Sequence, residues 1–539
     1  MPRGFLVNRT KTHSQPNLFS RVLRIENKPL QVKVVRGVVF SVIRKITVAP
    51  IALLLVPFTL HKVGAAGYGT WAIFVTIISL TWLLDPGLSP TVTKFVAEHS
   101  GTNDIPEIGR VLNASLALCL FMSALASCVL WFFARAIIGE FFRGPAAPPT
   151  SEILTLWPLV MLCITVFLMT APFVAFINGC QRMDLTNVLV FSTDLFSALA
   201  TVVLLCLHAK VRSLLLAQLL SSSFMLVGSI MIVRRLLPSV TPNPFRCKLR
   251  TLGKLVSFSV PLYAGYIMTS VQGQLEKLYL ARFVGIVPVG WYNVANEGAM
   301  KVKRIPDLLL GPVLAAASEL DATEERRKVE ELHFRAHKYL GLIAIPLVIF
   351  SVLTAKILIS LWVGQGLIQI AVPFALLVIG NLFPQIGAPL YFILVGRGIL
   401  RPAVYTAALA AALNVVLSFI FIKRWGFSGA VLGTVFPMIL STVYFFIASG
   451  KYFEVSLCRM LGRAYLKPLL CSLAATLAIP MIGALGMRRG TSLVVEMFTY
   501  GAIYLVGLVM TRFFDNFDIT TAESHVPFLR ITRRIIPVS

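Results

Sequence analysis

The chain has 539 residues, of which 57% are hydrophobic and 13% charged, with a mean hydropathy of +0.82. An average soluble domain carries roughly 25% charged residues, so this composition excludes an ordinary soluble protein and points to a membrane. The net charge of +26 does not require a nucleic-acid partner, because the cytoplasmic loops of membrane proteins accumulate Lys and Arg.

Residues 1–36 are polar and basic, with no cleavable signal peptide, and read as a cytoplasmic arm whose cations touch anionic lipid. Apolar runs of spanning length then follow near 39–60, 70–92, 111–134, 153–176, 188–207, 213–233, 255–281, 291–317, 339–361, 370–395, 402–422, 427–448, 466–486 and 492–511. Fourteen runs predict an all-α polytopic membrane protein with both termini on one side. The basic tail, and the cations of the loops that share its side, put that side in the cytoplasm.

The eighth run is the least regular, because YNVANEGAMKVKRIPD (292–307) carries charge where a spanning helix is normally apolar. Reading it as an outside loop would invert everything downstream and move most later cations outside. The charge bias therefore favours a spanning helix with a wetted face. Connections reach only about twenty residues, leaving no room for a soluble catalytic or nucleotide-binding domain. In one of them Val329, Leu332, Ala336 and Tyr339 recur at helical spacing, as in a helix lying on the membrane surface, although a linker role is the favoured reading.

The halves repeat. VGAAGYGTW (63–71) and VGIVPVGWY (284–292) align without a gap, so that Val63, Gly64, Gly69 and Trp71 fall on Val284, Gly285, Gly290 and Tyr292. Val96-Ala97-Glu98 falls on Ala317-Ser318-Glu319 at the same offset, and Pro172 and Gly179 correspond to Pro389 and Gly396. The organisation that follows is an N-terminal lobe of six spans (37–235), an inter-lobe loop (236–254), a second lobe of six spans (255–450), two further spans (451–512) and a cytoplasmic tail (513–539). Duplicated halves mark secondary transporters, whose substrate site lies between the repeats.

Charge inside a membrane is costly, so each intramembrane ionisable residue is a candidate for function. Asn293, Glu297, Lys301, Arg304 and Asp307 follow helical spacing along the eighth run, with Lys303 four residues before Asp307. Glu276, Lys277 and Arg282 lie in the seventh run and Asp85 in the second. Lys277, Arg282, Lys301, Lys303 and Arg304 outnumber the neighbouring carboxylates, so the wall they line suits an anion such as a phosphate or diphosphate. Asp85, Glu276, Glu297, Asp307 and Asp194, the last in the fifth run, are candidates for charge balance or for binding a coupling proton or sodium ion. The bland alternative is that these charges neutralise one another and staple helices together.

Catalytic signatures are lacking: there is no GxxxxGK[ST], HExxH or GxSxG. The eight cysteines are scattered, mostly in apolar runs, with no CxxC and no His at ligand spacing, so neither metal nor cofactor is expected. A carrier, a channel or a membrane-embedded transferase remains.

The segments LLLVPFTLHKVGAAGYGTWAIF, LLDPGLSPTVTKFVAEHSG, FINGCQRMDLTN, FVGIVPVGWYNVANE, LVGRGILRP and GFSGAVLGT, with Asn414 before the last, resemble a Wzx-type polysaccharide or O-antigen flippase. This is the polysaccharide branch of the multidrug/oligosaccharidyl-lipid/polysaccharide (MOP) exporters. The resemblance covers residues 39–450. It implies a MATE-like fold of two six-helix lobes around a cavity that opens alternately to either side. It implies an oligosaccharide substrate linked through diphosphate to a polyprenyl lipid, moved from the cytoplasmic to the periplasmic leaflet of a bacterial inner membrane. A coupling proton or sodium ion and a polysaccharide polymerase are the further partners it suggests. In such relatives the first, second, seventh and eighth spans line the cavity, and the last two lie outside the lobes. The competing readings are a multidrug or organic-cation antiporter of the same fold, which would favour an acidic cavity, and a membrane polymerase or ligase, which would need a large outside loop.

Overall fold

The computed structural model describes residues 30–81, 88–102, 104–208, 210–259, 274–322, 326–452, 457–483 and 488–518. Asp85, the first 29 residues of the expected basic arm and residues 519–539 of the expected C-terminal tail lie outside the described residues. Apolar runs joined through a glycine, with only a few charges at the break, give very long helices. Helix α1 (Leu30–Leu80) holds the first expected span and the first half of the second, and its chain bends at Gly64, where φ is 72° and ψ 172°, a conformation only glycine adopts without strain. Then follow α2 (Leu88–Gly101), α3 (Ile105–Phe132), α4 (Ala134–Phe141), α5 (Thr150–Gly179), α6 (Met183–Leu207) and α7 (Val211–Leu236).

The second half runs through α8 (249–259), α9 (Leu275–Phe283), α10 (Ile286–Asp307), α11 (Leu310–Ala322), α12 (Arg326–Leu353), α13 (Ala355–Trp362), α14 (Ala371–Gly396) and α15 (Arg401–Ser449). Helix α15 holds two expected spans and bends at Gly426, at φ 55°. The chain closes with α16 (Leu457–Ala475), α17 (Ala478–Gly483) and α18 (Arg489–Met510).

Among the described residues ten helices are long and apolar enough to cross a membrane, against fourteen runs in the sequence. The difference has two physical sources. Two pairs of runs merge into the bent helices α1 and α15. The seventh and eighth runs carry charge or are described only in part, so α8 to α11 fall short on length or apolarity. Helix α10 is nevertheless continuous over 22 residues, so the charged eighth run is a helix and not a loop.

The duplication is visible in the helix boundaries. Helices α3 (105–132) and α12 (326–353) are 28 residues each and differ by 221 at both ends; α4 (134–141) and α13 (355–362) are related in the same way. Gly285 precedes α10 at φ 120° and ψ 176°, the counterpart of Gly64. One core joins the halves, with Tyr68, Phe74 and Trp157 from the first and Val289, Tyr292 and Phe374 from the second. The outer surface is apolar: Phe121, Phe132, Leu199, Ile447, Phe498 and Met510 are all exposed, as expected of helices bathed in lipid.

The final helices are bolted to α12. Tyr500 and Tyr504 donate to the carbonyls of Pro346 and Leu342 at 3.1 and 2.9 Å. The missing side chain of Gly341 admits the ring of Tyr465, which would stand 2.9 Å from a Cβ there.

Candidate functional site

Both copies of the glycine motif meet at one end of the molecule. A Cβ at Gly69 would lie 2.0 Å from the carbonyl oxygen of Ile286, and one at Gly290 would lie 2.6 Å from that of Ala65. Small residues here allow α1 and α10 to cross backbone against backbone. The same end is reinforced by α4 and the segment after it: the Ile286 N–H donates to the Arg143 carbonyl at 3.0 Å, and Arg282 Nε stands 3.2 Å from Glu140 of α4.

The halves also touch at the opposite end, where Ser259 donates to Thr91 at 2.8 Å and the Lys94 ammonium sits 4.1 Å from the Phe258 ring centroid. Between the two closures Thr76 donates to Gln274 Oε1 at 3.3 Å.

Glu297 is the hub of the charged region between these ends. It forms an ion pair of 3.9 Å with Lys301 one turn on, and it lies within electrostatic reach of Lys277 on α9 and of Tyr68 on α1. Asn293 Nδ2 donates to the Tyr68 hydroxyl at 3.3 Å, tying this face to the other half. Arg304 is close enough to Lys301 to repel it and is itself exposed. At 1.5 Å of rise per residue from Gly285, Lys277 is about 12 Å, Glu297 about 18 Å, Lys301 about 24 Å and Arg304 about 29 Å from the glycine end. The cations therefore form a ladder across the protein rather than one shell.

Other residues singled out in the sequence go elsewhere. Lys303 is about 160° round the helix from Lys301, whereas Asp307 is only about 40° from Asn293 at 100° per residue; the Lys303 backbone carbonyl and Asp307 Oδ1 both accept from Gln385 Nε2 of α14, at 2.7 and 3.2 Å. Asp307, at the end of the polar stripe expected from Asn293, is thus engaged by α14. Arg282 joins Glu140 at the glycine end. Asp194 is half-buried on α6 in the first half, separate from the α9 and α10 residues.

Glu276 is fully buried within the second half. Its Oε1 accepts from Asn414 Nδ2 and from the Thr434 hydroxyl, at 2.5 and 3.2 Å, and Thr434 is in turn 2.7 Å from the Tyr292 hydroxyl. Glu276 Oε2 and Asn414 Oδ1 are buried without a hydrogen-bond partner among the described residues.

Sequence reading missed Tyr68, Gln274, Thr434 and Gln385. Only Tyr68 had a signal, its place between Gly67 and Gly69 in the repeated motif. The others are polar residues in apolar runs, whose partners are set by packing.

The comparisons with known proteins agree with this architecture. A Shigella flexneri protein named for O-antigen transport is 20% identical over 314 residues, 57% of this chain and 72% of its own. An uncharacterised membrane protein of Methanocaldococcus jannaschii is 19% identical over 509 residues, 92% of this chain and 98% of its own. Among solved structures, the lipid II flippase MurJ superposes with a TM-score of 0.70 at 13% identity, covering 88% of this chain and 98% of that one. An inward-facing MATE-family multidrug resistance transporter of the MOP superfamily gives 0.56 at 18% identity, over 75% and 94%. These likenesses show the fold to be that of the MOP superfamily. The model of the polysaccharide biosynthesis protein family matches residues 34–318, more than half of the sequence, and the chain belongs to that family.

Proposed function

We propose that the protein is a flippase that carries a polyprenyl-diphosphate-linked oligosaccharide from the cytoplasmic to the periplasmic leaflet of a bacterial inner membrane. The transported unit would serve surface polysaccharide synthesis, as O-antigen, capsule or exopolysaccharide. The observation that carries this reading is the ladder of Lys277, Lys301 and Arg304 around Glu297 at the seam of a polysaccharide-biosynthesis family fold. A diphosphate needs cations that it can exchange as it crosses, and a ladder supplies them at successive depths. Glu297 offsets one of the three positive charges while the ladder is empty, leaving it net cationic, and yields its cations to the anion when one arrives.

Arg282 and Lys303 would act at the margins of this path, Arg282 by exchanging Glu140 for substrate when the glycine end opens. Alternating access follows if the two closures open in turn, driven only by differential affinity of the substrate or a coupling ion for the two states. Glu276, with its open Oε2 beside Asn414 Oδ1, is the proposed site for a coupling proton or sodium ion. The lobes would divide at 236–254, both termini would face the cytoplasm, and a polymerase would receive the product.

The test is complementation of a deletion strain with Lys301→Ala and Arg304→Ala, measuring surface polysaccharide at matched protein level. Loss of polymer is expected from the pair, and undiminished polymer overturns the assignment.

A further inference from the structure

A second basic site lies away from the seam, where the last helices meet α12. A cleft of about 550 Å³ is lined by Phe334 and Lys338 of α12, by Arg463, Leu466 and Lys467 of α16, and by Phe513 and Asp515 after α18. All these segments lie at the same end of the bundle, since α12 and α16 begin there and α18 ends there. That is the level at which lipid head groups meet the protein.

The charges of the cleft divide into a closed set and a surplus. Lys338 is almost wholly buried and pairs with Asp518 at 2.5 Å and with Asp515 at 3.2 Å. Arg335 stands 3.5 Å from Asp518 and 3.6 Å from Asp515, and its guanidinium lies 3.7 Å from the Phe517 ring centroid. Arg335 is held as well by Glu331 one turn back, at 2.7 Å, so these two cations are fully engaged by three carboxylates, and Asp515 is tied to both of them although it faces the cleft. Arg463 and Lys467, one turn apart on α16, are left over. Arg463 makes no ion pair among the described residues, and Lys467 is steadied by the Arg512 carbonyl at 3.0 Å. Leu466, Leu470 and Leu473 continue down α16 at helical spacing and Leu477 follows in the turn after it, each at least half exposed. A cationic mouth opening onto an apolar, lipid-facing track has the shape of a lipid with an anionic head.

We propose that this cleft binds an anionic phospholipid of the surrounding membrane, with its phosphate on Arg463 and Lys467 and an acyl chain along the α16 leucines. The site touches neither α10 nor the glycine end, and it does not depend on what crosses the seam. Its occupant would clamp α16 to α12 and so hold the final helices to the second lobe.

The experiment uses the full chain in detergent, with phosphatidylglycerol, phosphatidylcholine and inorganic phosphate as separate probes, read by native mass spectrometry and by thermal melting. Phosphatidylglycerol is expected to remain bound and to raise the melting temperature, with no effect from the other two. Arg463→Gln with Lys467→Gln weakens that retention about thirtyfold, as expected for removing two cations' attraction for anionic lipid. Leu466→Glu produces a similar loss by repulsion with both cations in place, and Arg463→Lys preserves binding. Lys301→Ala also preserves it, which separates this site from the seam. Equal retention by the double Gln variant, equal protection by phosphatidylcholine, or full protection by inorganic phosphate alone would each overturn the proposal.

Discussion

Gly69 and Gly290, equivalent positions of an internal repeat, face each other with the backbones of α1 and α10 in contact, the Gly69 amide nitrogen lying 3.1 Å from where a Cβ on Gly290 would stand. The duplication therefore makes the two strips that seal one end of the molecule. A Cβ at Gly69 meets a carbonyl oxygen and not a movable side chain, so the helices themselves must part. Gly69→Ala is expected to destabilise the closed seam by about 1–3 kcal/mol, in the range of overpacked cores. A lowered melting temperature together with lost polymer export checks this; a wild-type melt sinks it.

The Glu140–Arg282 pair joins the halves at the same end but is half exposed on both sides, with 38% and 51% of the side-chain surface open. Its contribution is accordingly small, on the order of 0.2–1 kcal/mol. Glu140→Arg should raise basal opening and Glu140→Arg with Arg282→Glu should restore it. Labelling of a cysteine placed near Gly285 would follow both. Labelling that is identical in all three proteins contradicts a latch.

Glu276 separates structural from coupling roles through two substitutions. Glu276→Ala removes the shared acceptor of the Asn414 amide and the Thr434 hydroxyl, which keep only the Gly433 and Ala430 carbonyls, at 3.3 and 3.0 Å, and leaves a buried cavity; a loss of about 1–3 kcal/mol and a lower melt are expected. Glu276→Gln keeps an acceptor oxygen for both and removes only the charge. It is expected to melt as wild type and yet to export polymer without dependence on a proton or sodium gradient. Retained gradient dependence would remove Glu276 from the coupling role.

The C-terminal anchor is sensitive to acid. Burial opposes ionisation of Asp515, but the Asp518 backbone N–H and the cations of Lys338 and Arg335 outweigh it and hold the carboxyl below the usual carboxylate range. A depressed carboxyl stabilises above its unfolded value, and that contribution disappears as the pH falls through the folded one. Docking of α16 to α18 should hold at neutral pH and loosen only in acid, read as proteolytic access to the α16 turn. Asp518→Ala, which leaves Lys338 buried with less compensation, should loosen it at neutral pH by about 3–5 kcal/mol. Unchanged proteolysis of that variant would show the anchor to be apolar.

Much of this was legible before any coordinates. The spacing of Asn293, Glu297, Lys301 and Arg304 places them on one helix face by period alone, and Gly64 and Gly285 matched at an offset of 221. The i, i+4 spacing links Lys303 and Asp307 to each other but says nothing of what faces them, and here Gln385 meets the Lys303 backbone carbonyl and the Asp307 carboxylate. Glu276 and Lys277 are adjacent in sequence and about 100° apart on α9, so one enters the second-half interior while the other reaches Glu297. The short-range pattern could not say which.

Composition and pattern determined the membrane setting, the helical class, the duplication and the excess of cations, because these follow from transfer energies and from periodicities that act within a few residues. Tertiary packing decided which charges meet, that the duplicated glycines touch each other, and that two cations beside α12 are left over. Those outcomes depend on partners more than a hundred residues away, whose approach is set by the volumes of every side chain in between.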